Sequence, residues 1–277
     1  MNTQTKPKIP VALTIAGSDS GGGAGIQADL RTFAFHCVHG TSAITCVTAQ
    51  NTLEVARIDA MPIEAVIAQI HAVVEDIGVH AAKTGMLLNE EIIAAVAQEV
   101  EALQIENLVV DPVMVSRTGA QLISDDAVQA LRHVLIPKAT IVTPNRYETQ
   151  ILTGLEINSL DDMKAAAQMI HRELETNAVL VKGGGMQENL RGIDIYFDGQ
   201  NLETLSTKLI DTENTHGTGC TLSAAIAANL ARGKDLLTSV QQAKNYLTSA
   251  LSHALNIGNG QGPVGHFFPL LKKEMYL

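Results

Sequence analysis

The segment Asn214-Thr215-His216-Gly217-Thr218-Gly219-Cys220-Thr221 runs directly into LSAAIAANLARG, so a turn with two glycines and a thiol leads an alanine-rich helix. The first amides of a helix lack intrahelical partners and lie at the positive end of its dipole, which makes such a head a cradle for an anion. Gly217, Thr218 and Gly219 are therefore the predicted anion hole. Phosphoryl transfer demands chiefly positioning and charge neutralisation, and this cradle supplies both. In that field the Cys220 thiol is expected to have a lowered pKa and to accept the proton of an attacking alcohol as general base. The other reading of a free cysteine, a small buried hydrophobe, suits Cys37 and Cys46. His216 reads equally as a turn residue or a site residue.

A second glycine-dense stretch, Gly17-Ser18-Asp19-Ser20-Gly21-Gly22-Gly23-Ala24-Gly25, separates an apolar run from a helical one. Its glycines allow positive φ and a close backbone approach to a ligand, unless it is merely a flexible connection. It has no GxxxxGK[ST] pattern, while Gly23-x-Gly25-x-x-Ala28 matches the looser dinucleotide fingerprint. That fingerprint calls for an acid at the end of the second strand, whereas here the chain runs into Thr48-Ala49-Gln50-Asn51-Thr52. A neutral amide suits the edge of a heterocycle, because Gln50 both donates and accepts hydrogen bonds.

Asp111 ends NLVVD, and Asn145 and Glu148 follow TIVTP, so all three should project from neighbouring strand ends into one cleft. Hard oxygen ligands so placed suit Mg²⁺, directly or through its waters. Helix capping for Asn145 and a solvated face for Glu148 are the alternatives. Lys182 ends VLVK just before Gly183, Gly184 and Gly185, where it can clamp a phosphate or simply lie exposed at the strand end. Met86, in Lys83-Thr84-Gly85-Met86, can lie flat on an aromatic ring, although core filling is the default for a methionine.

The elements that must position these groups follow from the pattern. Apolar runs predict strands at 10–17, 41–48, 107–111, 139–143 and 178–182, with another ending at Thr84. Helical spacing predicts helices at IQADLRTFAF, at 62–77, 89–103 and 124–135, and within 145–175. IDIYFDGQNLETL reads as a hairpin turning at Asp198-Gly199, before two long alanine-rich helices after Gly219. Alternating strands and helices imply an α/β domain whose mostly parallel sheet is covered on both faces, with ligands beyond the carboxyl ends of its strands. No linker or repeat is visible, so residues 1–277 are expected to form a single domain, with 1–9 a loose N-terminal segment.

The 277 residues are 46% hydrophobic and 17% charged, which suits one large core. A formal charge of −10 argues against a nucleic-acid or anionic-membrane partner, so any phosphate must be held locally. Three cysteines without CxxC spacing indicate neither a disulfide framework nor a zinc knuckle and fit a reducing compartment. MNTQTKPKIP lacks a signal-peptide core and no stretch approaches the roughly 20 apolar residues of a bilayer span, which predicts a cytoplasmic protein.

Taken together, GSDSGGGAGIQADLRTF, TAQNT, KTGM, DPVM, TPNRYE, VKGG, NTHGTGCT and GPVGHFF resemble the hydroxymethylpyrimidine and phosphomethylpyrimidine kinases of thiamine biosynthesis. The resemblance runs from Ala12 to Phe268 in the family's order. It implies the three-layer ribokinase-like fold, a homodimer, ATP and Mg²⁺, and phosphorylation of 4-amino-5-hydroxymethyl-2-methylpyrimidine, then of its monophosphate. By the same resemblance Gln50 reads the pyrimidine edge, Ala24, Met86 and Val113 line its pocket, Asp29 lies close by, and Cys220 is the base. Gly217 to Gly219 fall on the γ-phosphate, Lys182 on the nucleotide phosphates, and Asp111, Asn145 and Glu148 around magnesium and its water. Gly185, Arg117 and Gly265 depart from the family's usual residues. A pyridoxal or pyridoxine kinase of the same fold, and a non-catalytic pyrimidine-binding regulatory module, are the alternatives.

Overall fold

β1 (Val11–Asp19) is apolar almost throughout and buried along its length, as a strand covered on both faces must be. In the computed structural model, which describes residues 9–115, 122–186 and 190–271, it is central to a sheet of nine strands among those residues. The loose segment expected at 1–9 falls outside the described residues except for Ile9, and so does Arg117.

Parallel partners flank β1: β2 (His39–Gln50) on one side and β4 (Ala81–Thr84) on the other. The parallel array continues through β5 (Leu108–Val110), β6 (Ile141–Val142) and β7 (Val179–Val181). Antiparallel strands close both edges: β3 (Val55–Ala60) beside β2, and the hairpin β8 (Ile193–Phe197) and β9 (Leu202–Ser206) beside β7. The order is β3-β2-β1-β4-β5-β6-β7-β8-β9, so the winding direction reverses between β1 and β4. Ligands bind at such a switch point, outside the carboxyl ends of the strands. The loops leaving β1 and β4 are the glycine-dense stretch and Gly85-Met86.

Helices form a layer on each face. One core packs the sheet against α2 (Ile63–Asp76), α3 (Glu90–Ala102), α4 (Asp125–Ala130) and α6 (Leu160–Glu173). The other packs it against α1 (Gly25–Phe35), α7 (Thr218–Ala231) and α8 (Leu236–Ser252). The helix expected over 124–135 is regular only to Ala130; Leu131–Leu135 is a wider π turn and Ile136–Lys138 a 3-10 turn. Pro137, within that last turn, cannot donate a backbone hydrogen bond and excludes regular helix there.

Strand alternation then does something specific. Ala12, Ala81, Val109, Ile141 and Leu180 all belong to the core shared with α7. Two residues further along each strand, on the same face, stand Thr14, Lys83, Asp111, Thr143 and Lys182. A polar row therefore crowns that apolar core at its carboxyl edge. α7 is buried from Thr221 to Ala231 and mostly small, so it lies close on the sheet with its head over that row.

Candidate active site

Gly217 caps α7 with φ 82°, a left-handed conformation natural to glycine, and no side chain caps the helix. A Cβ at Gly217 would run into the carbonyl oxygen of Gly23, so two glycine-bearing segments meet backbone to backbone. Thr221 N–H donates to the Gly217 carbonyl at 2.9 Å, while the amides of Gly219 and Cys220 have no intramolecular partner among the described residues. The turn before it is held by Gly262, whose carbonyl accepts from His216 N–H at 3.1 Å. Below it, the Ser223 hydroxyl approaches the Gly219 and Cys220 carbonyls at 3.0 and 3.1 Å and Asp111 Oδ2 at 3.3 Å.

The glycine-dense stretch is an ordered nest rather than a flexible link. Asp19 accepts from the amides of Gly21 (2.8 Å), Gly23 (3.0 Å) and Ala24 (2.8 Å), and its Oδ2 lies 2.9 Å from His216 Nε2. Burial works against its charge, but His216 and the loop amides outweigh it and hold the carboxyl below its ordinary range. With those amides already facing an internal anion, an external phosphate is left to the head of α7. His216 Nε2 also lies 3.5 Å from Gln50 Nε2, and Ser20 Oγ donates to the Gln50 carbonyl at 2.8 Å. First loop, second strand end and α7 turn thus meet, with His216 at their junction.

Lys182 reaches across the polar row to Asp111 at 3.0 Å. A Cβ on Gly219 would stand 3.4 Å from Lys182 Nζ and 3.6 Å from Asp111 Oδ2, so the α7 head rests on this ion pair. Burial alone would raise Asp111, yet Lys182 and Lys83 hold it ionised, below the usual carboxylate range. Asn145 and Glu148 form a reciprocal capping box on α5 (Arg146–Thr153): Asn145 N–H donates to Glu148 Oε2 at 2.8 Å and Glu148 N–H to Asn145 Oδ1 at 3.1 Å. Capping is thus the observed role of Asn145, and Glu148, only 2% exposed, lies on no solvated face. Burial pushes Glu148 up to about 7, Lys182 opposing and Asp111 reinforcing.

Asp29, expected close by, is fully buried, bonded by Thr14 at 2.6 Å and by Lys83 Nζ at 2.9 and 3.1 Å, so it lies beneath the surface of the site. One sequence expectation is corrected here: the Cys220 thiol is not lowered. Burial pushes it up to about 11, with Lys83 opposing and the charges of Asp29 and Asp111 reinforcing. Removal from water outweighs the helix head, a possibility that residue type and spacing leave hidden.

The donor set accords with a magnesium ion that keeps its own water. Asp111 and Glu148 offer hard, buried oxygens, and Asp111 lies beside a helix head whose amides are free to face an anion. Among the described residues no three His, Cys, Asp or Glu side chains gather into a metal cage. Mg²⁺ characteristically binds through one or two carboxylates together with substrate phosphates.

A family model described as phosphomethylpyrimidine kinase matches residues 19–265, which include the nest around Asp19, the polar row except Thr14, and the α7 head. The chain belongs to the phosphomethylpyrimidine kinase family. A hydroxymethylpyrimidine/phosphomethylpyrimidine kinase of Synechococcus elongatus is 58% identical over 262 residues, covering 95% of this chain and 99% of that one. An ADP complex of Bacillus subtilis pyridoxal kinase superposes with a TM-score of 0.89 at 38% identity, covering 95% of this chain and 99% of the other. A phosphomethylpyrimidine kinase of Clostridium difficile gives 0.79 at 40% identity, covering 88% and 100%. The ribokinase-like expectation for the fold is borne out by these kinases.

In this phosphomethylpyrimidine kinase family member, Gln50, Ala24, Met86, Lys182 and Asp111 lie on loops or strand ends at the carboxyl edge of the sheet, and Cys220 and Glu148 lie in the first turns of α7 and α5. Met86 reaches Gly17, where a Cβ would lie 3.2 Å from its Cε. Val113 is half-buried, two residues past Asp111. Sequence reasoning missed Asp19, Lys83 and Ser223. Ser223 falls one helical turn from Cys220, and Lys83 stands at the strand end that Asp111 and Lys182 also occupy; spacing carried a signal for both.

Proposed function

We propose that this chain transfers the γ-phosphate of ATP to the hydroxymethyl oxygen of 4-amino-5-hydroxymethyl-2-methylpyrimidine, and then phosphorylates the monophosphate to the diphosphate. The observation that carries this reading is the meeting of Gln50, His216 and the Gly23 carbonyl with the uncapped head of α7. A heterocycle-reading amide and an anion cradle in one pocket are what a kinase of a small flat alcohol requires. Gln50 orients the ring, and Ala24, Met86 and Val113 wall it in. Cys220 accepts the alcohol proton, the Gly217–Gly219 turn receives the transferred phosphoryl group, and Lys182 clamps the nucleotide phosphates with Asn145 nearby. Asp111 and Glu148 would hold Mg²⁺, which would neutralise phosphate charge.

The Bacillus subtilis pyridoxal kinase shares the backbone, so the fold does not separate the two rings. Identity of 58% to a hydroxymethylpyrimidine/phosphomethylpyrimidine kinase favours the pyrimidine. The decisive experiment compares steady-state turnover on hydroxymethylpyrimidine, its monophosphate and pyridoxal with MgATP. Preference for pyridoxal overturns the substrate, and no nucleotide turnover with any of them favours the regulatory module. Gln50→Ala should raise KM for the pyrimidine more than for ATP; equal effects reassign it.

The same proposal makes residues 1–277 one domain working in the cytoplasm as a homodimer. Free cysteines support a reducing compartment. Val47, Val55 and Ile58, exposed by 44%, 45% and 38% on the β2–β3 edge, support a second copy there.

A further inference from the structure

Gly183 begins the glycine triplet after Lys182, and nothing in Gly183, Gly184 or Gly185 except backbone can hold that loop. Its anchor is a buried ion pair. Asp194, on β8 and 6% exposed, accepts from Gly183 N–H at 2.9 Å through Oδ1. Its Oδ2 meets Lys244 Nζ of α8 at 2.5 Å, and Lys244 is also 6% exposed. On the other side of the Lys182 Cα, in the preceding peptide unit, Lys182 N–H donates to the Pro144 carbonyl at 2.9 Å. Gly183 passes so close to β8 that a Cβ would strike the Ile193 carbonyl. The backbone bearing the Lys182 side chain is thus fixed from both sides, once by β6's loop and once by Asp194.

A buried ion pair is a poor device for stability alone, since hydrophobic residues of similar volume commonly do as well or better. What apolar residues cannot supply is an acceptor for Gly183, held in one place by a cation that satisfies the other carboxylate oxygen. We propose that Asp194 and Lys244 are a positioning pair that aims Lys182 at the nucleotide phosphates. The inference deepens the reading of Lys182 as a phosphate clamp and stands on it. Neither residue touches substrate; each acts through the Lys182–Gly183 backbone.

Two uncharged pairs isolate the Gly183 hydrogen bond. Asp194→Leu with Lys244→Met removes the acceptor together with both charges, whereas Asp194→Asn with Lys244→Met keeps a carbonyl acceptor. The first should raise KM for ATP about tenfold, the scale of one lost hydrogen bond of about 1.4 kcal/mol, and leave KM for the pyrimidine within about twofold. The second should remain near wild type. A merely structural role would lower the active fraction, hence apparent kcat for both substrates, without moving either KM; that result overturns the proposal. Lys182→Ala is the control. If it leaves KM for ATP unchanged, the clamp reading and this inference fall together. If it raises KM for ATP while the Leu/Met pair does not, only the inference falls. Should neither paired variant fold, native hydrogen exchange on the wild-type chain decides: a Gly183 amide as protected as that of Leu180 upholds the anchor, and exchange at an open-loop rate overturns it.

Discussion

Removing the Cys220 thiol should affect the two phosphorylations unequally. The first nucleophile is an alcohol, whose proton is held about as tightly as that of water and must leave as the bond to phosphorus forms. The second is a phosphate oxygen with a second pKa near 6, already dianionic at about pH 8. Only the first needs a base. The thiol of Cys220 is pushed up to about 11. At pH 8 roughly one site in a thousand is therefore thiolate, but that thiolate is a correspondingly stronger base. Cys220→Ala should lower kcat for the first step by about 10²–10⁴-fold, the usual worth of a general base, and for the second by less than about tenfold. Initial rates of ADP release at saturating MgATP, with the alcohol or the monophosphate as acceptor, give both numbers from one preparation. Equal losses would mean that the thiol only shapes the pocket. An unchanged first step would remove it from the chemistry.

Gly217→Ala combines a left-handed φ of 82° with a collision against Gly23. It should cost about 2 kcal/mol or more and lower Tm by about 5 °C, and a melting curve identical to wild type would refute the interlock. His71 bonds Glu75 at 2.7 Å and Glu99 at 2.8 Å, tying α2 to α3, and these carboxylates raise its pKa. The stabilisation is complete below the unfolded value of about 6.5 and lost as pH rises through the folded one, so His71→Gln should lower Tm at pH 5.5 and not at pH 9; equal shifts at both would disprove the linkage. Asp111→Asn frees Lys182 from its counter-charge and removes a hard ligand. Calorimetry should show tighter ATP binding without Mg²⁺ and a weaker gain on adding it, and an undiminished gain would take Asp111 out of the metal site.

Much of this architecture was legible because its causes are local. Apolar runs buried on both faces mark β1 and β4, and their alternation with amphipathic helices dictates a parallel sheet. β3 was missed because VARIDA is exposed at every residue and carries no burial pattern; it is a strand only by pairing antiparallel with β2, Val55 opposite Gln50 and Ile58 opposite Thr48. Site positions were readable from strand ends, while electrostatics were not. Whether Asp29 lines a pocket or lies under it depends on Lys83, 54 residues away in the chain. The direction of the Cys220 shift likewise depends on how much water the fold removes.

On the proposed function, the polar row is what would let an acidic chain hold triphosphate. Beneath the α7 head lie two carboxylates, Asp29 and Asp111, and two ammonium groups, Lys83 and Lys182, paired at 2.9 and 3.0 Å. Lys83 is sealed at 0% exposure; burial works against its charge, but Asp29 together with Asp111 and Cys220 outweighs it, so that pair is a fixed floor. Lys182 retains 12% side-chain exposure and is the member able to turn toward a phosphate. Turning alone would strand the Asp111 carboxylate, 3% exposed, without its cation, a loss that buried charges make severe. A nucleotide arriving with a divalent cation avoids it, because anion and cation then meet Lys182 and Asp111 together. Dependence on both at once is therefore what the proposed function expects from where strand alternation places one lysine and one aspartate.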